Sequence, residues 1–191
     1  MTDEIVNKYK KGNKVLTIKY EEDPESPREW DNMGRIICAH KRYSLSDKNE
    51  DFNMDDYESW EEVATMLVDK KDAVLLKPIY MYDHSGITIK TTPFGCKWDS
   101  GQIGFIYCKA DDILEEDIKS EEDAEKILLI EIDLYDKYLK GEIYRYTIEK
   151  ITPCDKCKHE HTELLDSCGG FYDVDEILKE THFEDAEELE W

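Results

Sequence analysis

The sequence predicts an α+β fold: a single domain with a mostly antiparallel sheet and flanking helices. Three observations carry that expectation. Strand-like and helix-like segments do not alternate strictly, as a doubly wound parallel sheet would require. The turn Asp83-His84-Ser85-Gly86 lies between two β-rich runs and marks a hairpin, hence an antiparallel pair. The chain has 191 residues, 40% of them apolar, which is enough for a real core. No internal repeat is visible. The domain is expected over residues 1–182, with 183–191 as an acidic C-terminal tail.

Val15-Leu16-Thr17-Ile18-Lys19-Tyr20 is rich in β-formers and partly alternates, so it predicts a strand. Ser26-Pro27-Arg28-Glu29 predicts a short helix. Ser26 can cap it, Pro27 suits the first helical position, and Glu29 can bond back to the cap amide. Gly34 stands where it could close that helix in a left-handed conformation. Arg35 to Tyr43 predicts a strand through Ile36, Ile37 and Cys38, and 44–54 a polar loop. Trp60, Val63, Ala64 and Leu67 fall at i, i+3, i+4 and i+7, the mark of a helix over 55–70. Ala73 to Tyr82 and Ile87 to Thr91 are the arms of the hairpin, and Gln102 to Cys108 is a further strand. Asp111 and Ser120 are placed to cap two acidic helices, the second reaching about Lys140 and ending at Gly141. Glu142 to Ile151 alternates as a strand, with Leu164 to Cys168 as its expected partner. Asp173 to Thr181 predicts a last helix, and the tail from Phe183 to Trp191 is expected to be mobile.

Charge narrows the function. The net charge is −22 and unevenly placed. Residues 1–50 are neutral, with ten acids and ten bases, and every later stretch is negative, reaching −10 over 151–191. Such a surface repels nucleic acid and membranes and attracts basic partners. B-DNA carries one charge per roughly 1.7 Å of axis, so this charge matches about 37 Å of duplex, on the order of 11 base pairs. Lys8, Lys10, Lys11, Lys14 and Lys19 form the densest basic stretch, but the molecule as a whole resists a phosphate backbone. No apolar run approaches a membrane span, and Met1-Thr2-Asp3-Glu4 does not read as a secretory signal. The expected place is the reducing cytosol, where the six cysteines would be free or metal-bound. No phosphate-cradling glycine motif and no EF-hand loop is present.

Four segments together carry a resemblance. They are Glu25-Ser26-Pro27-Arg28-Glu29-Trp30-Asp31-Asn32, Tyr82-Asp83-His84-Ser85-Gly86-Ile87, Trp98-Asp99-Ser100-Gly101-Gln102-Ile103-Gly104 and Asp166-Ser167-Cys168-Gly169-Gly170-Phe171-Tyr172. In this order, over about residues 15–173, the chain resembles a family of small acidic proteins of phages, plasmids and integrated elements. Some of these are similar to anti-CRISPR or antirestriction proteins of the DNA-mimic kind. The resemblance brings no catalytic residues with it. It implies a counter-defence inhibitor whose partner is a host defence nuclease.

Three groups of residues are candidate sites. Glu115, Glu116, Asp117, Glu121, Glu122, Asp123 and Glu125 crowd eleven positions and suit an acidic binding surface; ordinary solubility asks only for a net charge of about 2–8 in magnitude. Arg28, Asp31, Asn32, His84, Asp99, Ser100 and Gln102 sit beside turns or strand ends. They would line a polar cleft if the sheet gathers those ends, making the chain an enzyme or a nucleotide- or small-ligand-binding protein. The ordinary role of such residues is to lock their own turns. Asp83, His84 and Ser85 name a catalytic triad, but neighbours in sequence cannot easily form one, and turn chemistry explains them. Cys154, Cys157, His159 and His161 place four soft or borderline ligands within eight residues and suit a structural Zn²⁺, against the plain alternative of a loop with incidental thiols.

Overall fold

A computed structural model describes residues 4–48, 50, 52–96, 98–116, 118–154 and 159–189. The strands are β1 (Ile5–Lys11), β2 (Lys14–Tyr20), β3 (Arg35–Cys38), β4 (Ala73–Asp83), β5 (Ile87–Lys90), β6 (Ser100–Lys109), β7 (Tyr144–Pro153), β8 (Glu160–Phe171) and β9 (Glu187–Glu188). The helices are α1 (Trp60–Lys71), α2 (Ala110–Glu115), α3 (Glu121–Lys140) and α4 (Val174–Thr181). The class is α+β with antiparallel sheets, as the sequence predicts. The chain forms two compact units: residues 26–140, and residues 1–25 together with 141–191. No helix among the described residues is long and apolar enough to cross a membrane.

In residues 26–140 the sheet order is β3-β6-β4-β5. β6 is central, and Ile103 through Cys108 are buried because helices cover both faces. Phe105 and Tyr107 pack toward Val63, Met66 and Leu67 of α1. Ile106 and Cys108 pack toward Ala124, Leu128 and Ile132 of α3. The register slips between Ile79 and Tyr80, which pair with Gly104 and Gln102, so Ile103 is an extra residue and joins the α3 side. Gly104 is required here: a Cβ would stand 2.0 Å from the Ile37 carbonyl oxygen. Pro78 sits outside the β4–β5 pairing, where β4 is an edge on that side and lacks only a donor it does not need.

α3 holds this sheet by more than its apolar stripe. Two of its carboxylates are buried. Glu131 accepts the Gly34 amide at 3.0 Å, and Asp136 accepts the Ile89 amide and the Thr88 hydroxyl, each at 2.7 Å. Gly34 leads into β3 and Ile89 lies in β5, so α3 ties down both edge strands, whose open donors would otherwise pair elsewhere.

The other unit is a sheet of order β8-β7-β2-β1-β9. Leu16, Ile18, Tyr146, Ile148 and Phe171 face α4 through Ile177. The segment expected to be a mobile tail is largely docked. Phe183 is buried in this core, Lys11 binds Asp185 at 2.5 Å, and β9 pairs with Tyr9 and Lys10 of β1. One aromatic residue with a buried site outweighs the surrounding charge.

Local expectations are corrected in several places. The Ser26 helix is a single 3₁₀ turn over Pro27–Glu29 with the Ser26 hydroxyl on the Arg28 amide, and Glu29 binds Lys48 instead of the cap. Gly34 does not end a helix. It is needed because a Cβ there would meet Glu131, Ile106 and Leu128 at 2.7 Å. The strand expected to reach Tyr43 ends at Cys38, and the helix expected over 55–70 begins at Trp60, capped by Ser59. Asp111 is not a cap; α2 starts after Lys109, whose amide Asp112 accepts at 2.7 Å. Ser120 does cap α3, accepting the Asp123 amide at 3.1 Å.

Candidate functional site

The acidic surface lies at the end of α2 and the start of α3. The inward stripe of α3 leaves Glu121, Glu122, Asp123 and Lys126 facing outward. Part of this charge is compensated: Lys126 lies 3.1 Å from Glu122 and 3.2 Å from Asp123, and Lys77 binds Glu125 at 2.5 Å. The Ser120 hydroxyl, then Lys126, holds the Asp123 carboxyl below its usual range. Glu115, Glu116 and Glu121 are exposed and have no cation within 4 Å among the described residues. Asp117 lies outside the described residues. Leu114 and Ile130, on the same two helices, are 75% and 57% exposed. Charge is shared evenly between the units. Residues 26–140 hold twenty-six acids against fifteen bases and the other unit twenty-one against ten, so each carries −11.

The seven residues of the expected polar cleft do not gather. They divide between two hollows. The first, of about 740 Å³, is lined by Arg28, Asp31 and Asn32 with Asp47 and Tyr138. Arg28 is not available to a ligand there. Its side chain is 8% exposed, and its guanidinium donates to Asp47 at 2.9 and 2.8 Å, to Glu131 at 2.9 Å and to the Gly34 carbonyl at 2.6 Å. Burial works to lower its pKa, and the bonds to Asp47 and then Glu131 outweigh it, so the guanidinium is held charged. The Asn32 amide donates to the carbonyls of Pro27 and Trp30, which locks its own turn.

The second hollow, of about 580 Å³, is lined by Asp99, Ser100 and Gln102 with His40, Arg42 and Asp83. His84 Nδ1 lies 3.7 Å from Asp99 on its border, and its ring stacks on Tyr82. The Ser100 hydroxyl donates to the Cys96 carbonyl, and Gln102 to the Gly104 carbonyl at 3.3 Å. The supposed triad is a turn: Asp83 binds Arg42, Ser85 has φ 61°, and the His84 amide donates to the Gly86 carbonyl at 3.1 Å. Sequence reasoning missed Trp98 as a site residue. It is 95% exposed on this hollow. It also missed Asp47 and Glu131, the partners that occupy Arg28.

Cys154, His159 and His161 lie at the tip of the β7–β8 hairpin, and Cys157 lies outside the described residues. Among the described residues no three His, Cys, Asp or Glu side chains converge as a metal centre. Comparison of the chain with protein-family models, with curated proteins and with solved structures finds no match.

Proposed function

We propose that the chain is a counter-defence inhibitor of a phage or mobile element, acting in the host cytosol. It binds the basic nucleic-acid channel of a host defence nuclease, a CRISPR effector of the Cas9 type or a restriction enzyme. Its carboxylates take the places of phosphates. The observation that carries this reading is the group of exposed carboxylates Glu115, Glu116 and Glu121, which have no cation within 4 Å among the described residues, in a chain whose two units each carry a formal charge of −11. Cas9-type effectors hold their duplex in a positively charged channel. Complementary charge steers association and raises on-rates by roughly 10–10³-fold, an effect that salt screens. Leu114, exposed next to Glu115 in the chain, offers an apolar anchor.

The test is capture of a host nuclease by the tagged chain at low and high salt, followed by association kinetics with the purified partner. The triple variant Glu115→Lys, Glu116→Lys, Glu121→Lys should associate at least about tenfold more slowly, with a shallower salt dependence. Unchanged kinetics in that variant, or a complex indifferent to salt, overturns the proposal.

A second reading keeps one specific observation, the exposed Trp98 on the hollow that Asp99 also lines. In it the chain is an enzyme or binds a nucleotide or small ligand by stacking on Trp98. Arg28 has no part in it, its buried guanidinium being held by Asp47, Glu131 and the Gly34 carbonyl. Nucleotide titration of the Trp98→Ala variant against the parent tests this reading; equal response in both excludes Trp98 as the stacking platform.

A further inference from the structure

The tip of the β7–β8 hairpin carries a motif that the acidic surface leaves unused. The ladder pairs Thr152 with His161 and Pro153 with Glu160. The Cys154 amide donates to the His159 carbonyl at 3.0 Å, so the register continues and sets Cys154 opposite His159. Residues directly opposite in an antiparallel pair project to one face of the sheet, as do residues two apart on one strand. Cys154, His159 and His161 therefore share a face. Sequence spacing gives only ligand types close together; the register puts three of them on one side.

We infer that this face is a zinc site, with the Cys154 thiolate and the imidazoles of His159 and His161 as ligands. Opposed residues have Cβ atoms about 4.5–5.5 Å apart and diagonal ones about 7–8 Å. Cysteine and histidine side chains, with metal bonds of about 2.0–2.3 Å, span those separations. Among the described residues the three side chains do not converge. His159 and His161 are exposed and Cys154 is half-buried, so none of the three side chains belongs to a buried core. On binding, the thiol gives its proton to solvent and its sulfur bonds the metal. One thiolate with two imidazoles selects zinc over magnesium or calcium, which take oxygen ligands. Three protein ligands leave the fourth tetrahedral position open to water or to a partner's side chain. The three residues belong to the unit of residues 1–25 and 141–191, whereas α2 and α3 belong to the other.

The experiment is titration of the full chain, stripped of metal, with Co²⁺ and then Zn²⁺. One equivalent of cobalt should bind with a tetrahedral spectrum and a thiolate-to-cobalt charge-transfer band, and zinc should displace it. Cys154→Ser should remove that band. His159→Ala and His161→Ala should each weaken binding by at least about tenfold, with far-UV circular dichroism unchanged because the tip is exposed. Three results overturn the inference: no uptake, uptake with an octahedral spectrum lacking the thiolate band (cobalt on surface carboxylates), or a band that survives Cys154→Ser.

Discussion

Truncation of Arg28 is the most demanding check on how residues 26–140 are held together. The guanidinium makes four hydrogen bonds, two to Asp47, one to Glu131 and one to the Gly34 carbonyl. Asp47 and Glu131 are 17% and 9% exposed. Arg28→Ala leaves both carboxylates facing a vacated site, and removing one partner of a buried ion pair costs about 3–5 kcal/mol. For a unit of this size that corresponds to a fall in melting temperature on the order of 10–20 °C. Thermal and urea unfolding followed by near-ultraviolet circular dichroism measures it. The triple variant Arg28→Met, Asp47→Asn, Glu131→Gln removes all three charges together and should recover much of the loss, because the charge left without its partner is what destabilises. A loss below about 1 kcal/mol in Arg28→Ala, the size of an exposed pair, would refute the reasoning and return Arg28 to the list of residues free to bind a ligand.

Two further outcomes follow from the packing and the charges. Phe183→Ala should destabilise the sheet of residues 1–25 and 141–191 by about 3–5 kcal/mol, read by urea unfolding, whereas Glu184→Ala, exposed beside it, should change little. Burial works to raise the Asp112 carboxyl, but the bonds from Arg35 and the Lys109 amide outweigh it, so its pKa lies below the ordinary 3.8. Its contribution is therefore complete above 3.8 and lost as pH falls through the lowered value. Asp112→Asn should lack that part of the acid limb in a stability-against-pH curve, and an identical limb in both proteins would contradict the assignment.

What the sequence discloses is local. The β6 run from Ile103 to Cys108 and the α3 stripe of Ala124, Leu128 and Ile132 are legible because apolar period maps directly onto burial. The Asp83–Gly86 turn is legible because only turn chemistry suits those residues together. β1 is not, since Lys8, Lys10 and Lys11 mask the inward Val6 and Tyr9 and read as a basic stretch. The Arg28 cluster is not, because Glu131 arrives from 103 residues away and no pattern in the chain points to it. The expected cleft failed for the same reason: each of its motifs is recognisable, but whether two motifs meet is decided by strand order. Gly34 is recognised as special, yet its use, close approach of α3, depends on a helix the local sequence does not contain.

The split of the first and last segments into one sheet has a consequence for how the protein is made. β2 pairs with β7, Tyr20 opposite Tyr144, and the Glu21 amide bonds the Ile143 carbonyl at 2.8 Å, so the chain leaves and re-enters that sheet at neighbouring points. During synthesis the β1–β2 hairpin emerges before β7 and waits, while residues 26–140 can complete their own sheet before β7 appears. Once they have folded, the loop that β2 and β7 must close is much shorter in effect, and a tenfold shortening lowers the closure cost by about 2 kcal/mol. Meanwhile Leu16 and Ile18, fully buried at the end, stand exposed on the waiting hairpin. The lysines at 8, 10, 11, 14 and 19 surround them there with positive charge, the kind of gatekeeping that keeps an unpaired strand from finding the wrong partner. The densest basic stretch of an acidic protein thus flanks a segment that must wait for β7 before it is buried.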